Sequence, residues 1–104
     1  CNGIIVPVRE KYSSHIYHQY TIRVPDGRRD ELKQFLGENG IPSMVYYPGP
    51  LHLQEAYRFL GYSETDFPVT SSLCCEVLSL PVHTEMEQEQ LEYITDEVLH
   101  FFNK

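Results

Sequence analysis

His15-Ile16-Tyr17-His18-Gln19-Tyr20-Thr21-Ile22-Arg23-Val24, followed at once by Pro25-Asp26-Gly27, is the stretch whose reading decides the fold. Ile16, His18, Tyr20, Ile22 and Val24 fall on one side of an extended chain. His15, Tyr17, Gln19, Thr21 and Arg23 fall on the other, which is the period-two pattern of a half-buried strand. Proline fixes φ, aspartate bonds nearby amides and glycine accepts positive φ, so 25–27 turns the chain and ends the strand. Tyr17, Gln19 and Thr21 are mild for a purely solvated surface, so the second face of this strand is expected to meet a partner as well as solvent.

Downstream, the period changes. Leu32, Phe35 and Leu36 form an i, i+3, i+4 stripe over 28–39, with Asp30 and Glu31 at the positive end of a helix dipole and Gly40 placed to end the helix. Residues 41–47 read as a second extended run, broken by Pro48-Gly49-Pro50, because neither proline can donate to a ladder. Residues 54–60 predict a short helix ended by Gly61. Residues 67–75 predict another, with Pro68 in the first turn and Asp66 as a cap. Val77 to Val82 is a third apolar run, interrupted by Pro81. Thr84 and Glu87 then match a capping box, opening a helix whose Leu91, Ile94, Val98 and Phe101 share a face.

The order β, α, β, α, α, β, α predicts an α+β fold: a small, mainly antiparallel three-stranded sheet with helices packed mostly on one face. No repeat or second unit is evident, so residues 1–104 are expected to form a single domain.

Composition excludes several function classes. The 104 residues are 41% hydrophobic and 22% charged, an ordinary globular balance. Fifteen acidic against eight basic residues give a net charge of −7, and the basics cluster only at Arg28 and Arg29. A nucleic acid or an anionic membrane would be repelled, whereas one small anion in a local site is compatible with this charge. Cys1, Cys74 and Cys75 make no disulfide framework, which predicts a reducing, cytoplasmic setting. No apolar run approaches the roughly 20 residues that span a bilayer. The start, Cys1-Asn2-Gly3, lacks Met and a signal-peptide pattern, so the chain is expected to be truncated.

Chemistry-bearing residues are few. His15 and His18 are offset by three on a predicted strand and point to opposite faces, and no CxxC or HxxxH occurs, so no metal site is expected. Cys74 and Cys75 sit beside Leu73 and Val77 in a helical turn, where cysteine is usually an inert small hydrophobe. Ser71 and Ser72 lack nucleophile-elbow glycines. His18 is expected in the core, hydrogen-bonded; His83 is expected at the surface, and His100 near the negative end of the last helix. The segment from Tyr46 to Gln54 differs from these. It sets Tyr46, Tyr47, His52 and Gln54 around a stiff Pro-x-Pro turn, and stiff loops hold ligand-facing groups at low entropic cost. Tyrosine stacks on base or sugar faces, and histidine and glutamine bond phosphate or hydroxyls. The same residues equally suit a structural corner with buried aromatics.

That segment also carries a resemblance. Tyr47-Pro48-Gly49-Pro50-Leu51-His52-Leu53-Gln54, followed by Ala56-Tyr57 and Leu60-Gly61-Tyr62, resembles the C-terminal small domain of the DegT/DnrJ/EryC1/StrS sugar aminotransferases. So, in order, do the blocks at 15–24, from Arg29-Asp30-Glu31-Leu32 to Gly40-Ile41, and Glu76-Val77-Leu78-Ser79-Leu80-Pro81. The resemblance implies a homodimeric parent enzyme whose large domain holds pyridoxal phosphate on a lysine. That parent would move an amino group, usually from glutamate, onto a keto group of a nucleotide-linked sugar in polysaccharide or amino-sugar biosynthesis. It implies that the loop at Tyr46, Tyr47, His52 and Gln54 faces the nucleotide sugar. Many members have His-Tyr-Pro where this chain has Tyr46-Tyr47-Pro48, which removes a group able to carry positive charge. The Tyr17-His18-Gln19-Tyr20 block with Pro50-Leu51-His52-Leu53-Gln54 resembles members acting on 3-keto sugars. None of Lys11, Lys33 and Lys104 lies in the family's lysine motif, so this chain alone is expected to bind no cofactor and to lack catalysis. A free-standing small-molecule-binding or regulatory α+β domain is the alternative. A severed domain leaves an apolar patch exposed where its large domain docks, and a free-standing module does not unless it self-associates; a purely structural interaction module exposes a patch too but carries no nucleotide-sugar site.

Overall fold

The computed structural model describes residues 3–103; Cys1 and Lys104, both weighed above, lie outside the described residues. The elements run β1 (Tyr20–Arg23), α1 (Arg29–Glu38), two 3₁₀ turns (Leu51–Leu53 and Glu55–Leu60), α2 (Pro68–Glu76), β2 (Val77–Leu80) and α3 (Gln88–Asn103). The strands pair antiparallel, with Tyr20 opposite Leu80 and Ile22 opposite Leu78. On that face Ile22, Val24 and Leu78 meet Leu32 and Leu36 of α1 and Val98 and Phe101 of α3, closing the core. On the other face the Thr21 and Ser79 hydroxyls bond each other at 2.8 Å. The radius of gyration is 15.8 Å, against about 13 Å for a compact domain of this length. Much of the chain lies away from this small core.

The turn at 25–27 forms as its residues dictate, with both Asp26 and Gly27 at positive φ. Helix α1 ends in a Schellman motif: Gly40, at φ 72°, donates to the Gly37 carbonyl, and Ile41 donates to that of Leu36. Pro68 opens α2 at its first turn, and Gly61, at φ 72°, ends the second 3₁₀ turn.

Five expectations are corrected. The first strand is four residues long, because Tyr17 takes φ 47° and gives its N–H to His15 Nδ1 at 2.8 Å, bending 15–19 out of any ladder. His18, expected in the core, is therefore exposed, as is Ile16. The sheet has two strands, not three. Residues 41–47 contribute only the Met44–Ser79 bridge, as Ile5 does with Arg23 at the opposite edge, since Pro42 and Pro48 withhold the donors a ladder needs. Asp66 does not cap α2; its Oδ2 accepts the N–H and the hydroxyl of Ser63 instead. Thr84 opens no capping box. The last helix begins at Gln88, where Gln90 Oε1 reaches back to the Glu87 N–H at 2.9 Å, half of a box shifted by three residues.

Two arginines tie α2 to the core. Arg29 Nη1, on a side chain 11% exposed, donates to the carbonyls of Cys74 and Val77 at 3.2 Å each. Arg29→Ala strips both carbonyls of their donor and is expected to cost about 1–3 kcal/mol, read from denaturant midpoints; an unchanged midpoint would show that water replaces the guanidinium freely. Arg23 grips Glu76 Oε2 through Nε and Nη2, and Ser72 Oγ donates to Oε1. The Ser72 bond first, and Arg23 second, hold the Glu76 carboxyl below the usual carboxylate range. A depressed folded pKa means the contribution is complete above the ordinary carboxylate value and is lost as pH falls through the folded one. Glu76→Gln should therefore lower stability by a constant amount above the ordinary carboxylate value and flatten the acid limb of a stability–pH curve, where the wild-type chain loses the same contribution.

Candidate functional site

Nearly every residue from 46 to 69 is exposed. The reason is local: 3₁₀ turns of three and six residues have no long apolar face to lay on a core. Pro50 and Gln54 are extended, at ψ 135° and 145°, on either side of the first turn. Ser71 Oγ then bonds the Glu64 carbonyl at 2.9 Å, and Ser63 bonds Asp66, pinning the loop that enters α2. These pins orient Tyr62 and Phe67, whose rings meet edge to face at 5.1 Å. His52 lies against Phe67 at 4.8 Å between centroids. Its Nε2 is buried without a hydrogen-bond partner. The Ser63 N–H and hydroxyl, with a smaller contribution from nearby His52, hold the Asp66 carboxyl below its usual range.

The result is a shallow, mostly apolar cavity of about 370 Å³ walled by Leu51, His52, Tyr57, Leu60, Tyr62 and Phe67, with Thr70 at its α2 side. Of the four residues singled out in the sequence, only His52 lines it. Tyr46 (52% exposed) and Tyr47 (75%) stand on the surface beside the Pro48–Pro50 turn, and Gln54 is exposed between the two 3₁₀ turns. Neither tyrosine ring is buried within this chain. Tyr57, Tyr62 and Phe67 were not marked as site residues. A signal was present: large aromatic residues recur from 57 to 67, across the Gly61 stop, at neither helical nor strand period. Among the described residues, no group of three or more His, Cys, Asp or Glu is placed to hold a metal ion. No described helix is long and apolar enough to cross a membrane.

A small antiparallel sheet backed by two helices, with an exposed aromatic loop beyond it, defines an α+β fold whose 46–69 segment lies outside the core. The profile of the DegT/DnrJ/EryC1/StrS aminotransferase family matches residues 1–99, and the chain belongs to that family. It is 43% identical over 99 residues to a protein of Geobacillus stearothermophilus called pleiotropic regulatory protein, covering 95% of this chain and 26% of that one. It is 35% identical to the dTDP-3-amino-3,4,6-trideoxy-α-D-glucose transaminase of Streptomyces venezuelae, covering 92% and 25%. Against the UDP-N-acetyl-3-dehydro-α-D-glucosamine 3-aminotransferase of Acidithiobacillus ferrooxidans the identity is 40%, over 77% and 21%. The solved structure of S. venezuelae DesV in complex with a ketimine intermediate superposes with a TM-score of 0.90 at 33% identity, over 98% of this chain and 27% of that one. The chain therefore spans about a quarter of the length of these relatives.

Proposed function

We propose that this chain is the single small C-terminal domain of a pyridoxal-phosphate-dependent enzyme that aminates the keto carbon of a nucleotide-linked sugar, and that it supplies part of the substrate cleft. The observation that carries the reading is the exposed, aromatic 46–69 surface on a chain of this family. So much apolar area left bare is what a severed domain presents where the rest of its polypeptide and a substrate belong. Tyr46, Tyr47, His52 and Gln54 face the sugar nucleotide in this reading, glutamate donates the amino group, and the parent works as a homodimer in the cytoplasm. The two transaminases named above both act at carbon 3, which favours a 3-keto sugar.

The residues of this chain do not themselves fit the cofactor. A pyridoxal group needs an enclosed lysine amine and donors around its phosphate. Lys11 and Lys33 are both exposed. No step of transamination is assigned to these residues; what they offer is binding and orientation of the sugar.

The test is to purify the full polypeptide that carries this chain. It should be yellow, bleach with borohydride and aminate a 3-keto nucleotide sugar. A colourless protein without transamination would favour the second reading, a regulatory small-molecule-binding domain, for which the name of the Geobacillus relative speaks.

A further inference from the structure

The β1–β2 ladder stops at Tyr20 and Leu80, although its residues permit more. Carried on in the same register, Gln19 meets Pro81, His18 meets Val82, Tyr17 meets His83 and His15 meets Glu85. Pro81 does not bar the way. Val24 donates to the Glu76 carbonyl at 2.8 Å, while Ser79 exchanges both of its bonds with Met44 on the other side. The even-numbered residues of the two strands therefore bond each other, and no donor is asked of Pro81 toward β1. His18 and Val82 would form the next rung, and both are exposed.

Two histidines hold the ladder open instead. His15 Nδ1 accepts the Tyr17 N–H at 2.8 Å, the two rings stack at 4.5 Å, and Tyr17 is kept at φ 47°, a conformation uncommon for a non-glycine residue. His83 Nδ1 accepts the Glu85 N–H at 3.3 Å in the same way, two residues on. Each bond bends one of the two segments that would lengthen the ladder. Each also needs an imidazole nitrogen without a proton, because imidazolium can only donate.

We propose that His15 and His83 form a pH latch: neutral, they hold 15–19 and 83–85 bent; protonated, they release both segments, and β1 and β2 lengthen from the His18–Val82 rung outward. Imidazole gains its proton between about pH 8 and about pH 5, and the bent form is the one that needs that proton absent, so acid favours the longer ladder. Arg9 and Glu10 face His15 across the cavity of about 330 Å³ that it walls with Tyr17, and Gln90 and Tyr93 line the groove that His83 joins. In the lengthened ladder Glu85 stands opposite His15, where unlike charges attract across strands. Ile16, 92% exposed in the bent form, turns to the side of Tyr20 and Ile22, and the cavity beside His15 is lost. Nothing in the latch depends on the amination reading.

Amide hydrogen exchange of the full polypeptide, read residue by residue and normalised to intrinsic rates at about pH 8 and about pH 5, tests the latch. On acidification exchange should slow roughly tenfold at His18 and Val82 and quicken at Tyr17 and Glu85. His15→Asn with His83→Asn supplies a side-chain carbonyl that accepts the same amides without titrating, and the pair should abolish the response. His15→Ala with His83→Ala should show the acid pattern already at about pH 8. Quickening at all four amides would mean that acid merely frays the strand ends, and an unaltered response in the asparagine pair would place the proton elsewhere. Either result overturns the latch, as would identical exchange of the unsubstituted protein at both pH values.

Discussion

Leu32→Ala is expected to lower the unfolding free energy by about 2–5 kcal/mol, the range for truncating a fully buried leucine to leave a cavity. Leu32 is 0% exposed and sits in the core cluster with Ile22, Leu36 and Leu78, where α1 closes on the β1–β2 sheet. With two strands and two helices sharing one cluster of eight buried side chains, little surrounding mass can collapse into the void, which puts the expected cost toward the upper part of that range. Leu91→Ala supplies the comparison. It lies on the stripe predicted for the last helix, yet it is 44% exposed, and its truncation should cost about 1 kcal/mol or less. Urea unfolding of both variants reads the difference. Equal, small losses would mean that α1 does not pack on the sheet as described; equal, large ones would mean that the first turns of α3 are buried too.

How far the sequence told this story depends on whether a residue's fate was decided locally. Pro25-Asp26-Gly27, the Gly40 stop, Pro68 and Gly61 all behaved as read, because positive φ and a missing N–H are properties of the residues themselves. The stripe Leu32, Phe35, Leu36 did so because a helix's period is set by its own hydrogen bonds. Strands failed where pairing had to be guessed. The alternation at 15–19 was genuine but had no partner strand, and His15 took the amide of Tyr17 instead. Pairing is settled by what lies alongside, which one segment cannot state. The same holds at Asp66 and Thr84, where cap chemistry was present and the chain entered each helix a residue or more later. Within the candidate site, the family motif marked Tyr47 and His52, but the cavity joins His52 to Phe67 and Tyr62, which arrive from the far side of a turn whose closure rests on the Ser63–Asp66 and Ser71–Glu64 bonds.

Tyr47→Ala in the full polypeptide is the other substitution with a large expected effect, and it separates binding from folding. At 75% exposed, the Tyr47 ring contributes almost nothing to the stability of this chain, so the same substitution in residues 1–104 alone should leave the melting temperature within experimental scatter. If its ring stacks on the sugar nucleotide and its hydroxyl bonds it, the loss of both is worth about 1–3 kcal/mol of transition-state stabilisation, or roughly 5- to 150-fold in kcat/KM. Tyr47→Phe divides the effect: a small loss assigns it to the ring, a near-complete one to the hydroxyl. Where the loss falls also matters. A rise in KM with kcat unchanged means Tyr47 holds substrate and transition state equally. A fall in kcat means its contact strengthens as the keto carbon reacts, so this domain acts on the chemistry through orientation. Unchanged kinetics in Tyr47→Ala would place the exposed ring at an interface with the rest of the parent and leave His52 as the only residue of the original four still placed at a cavity.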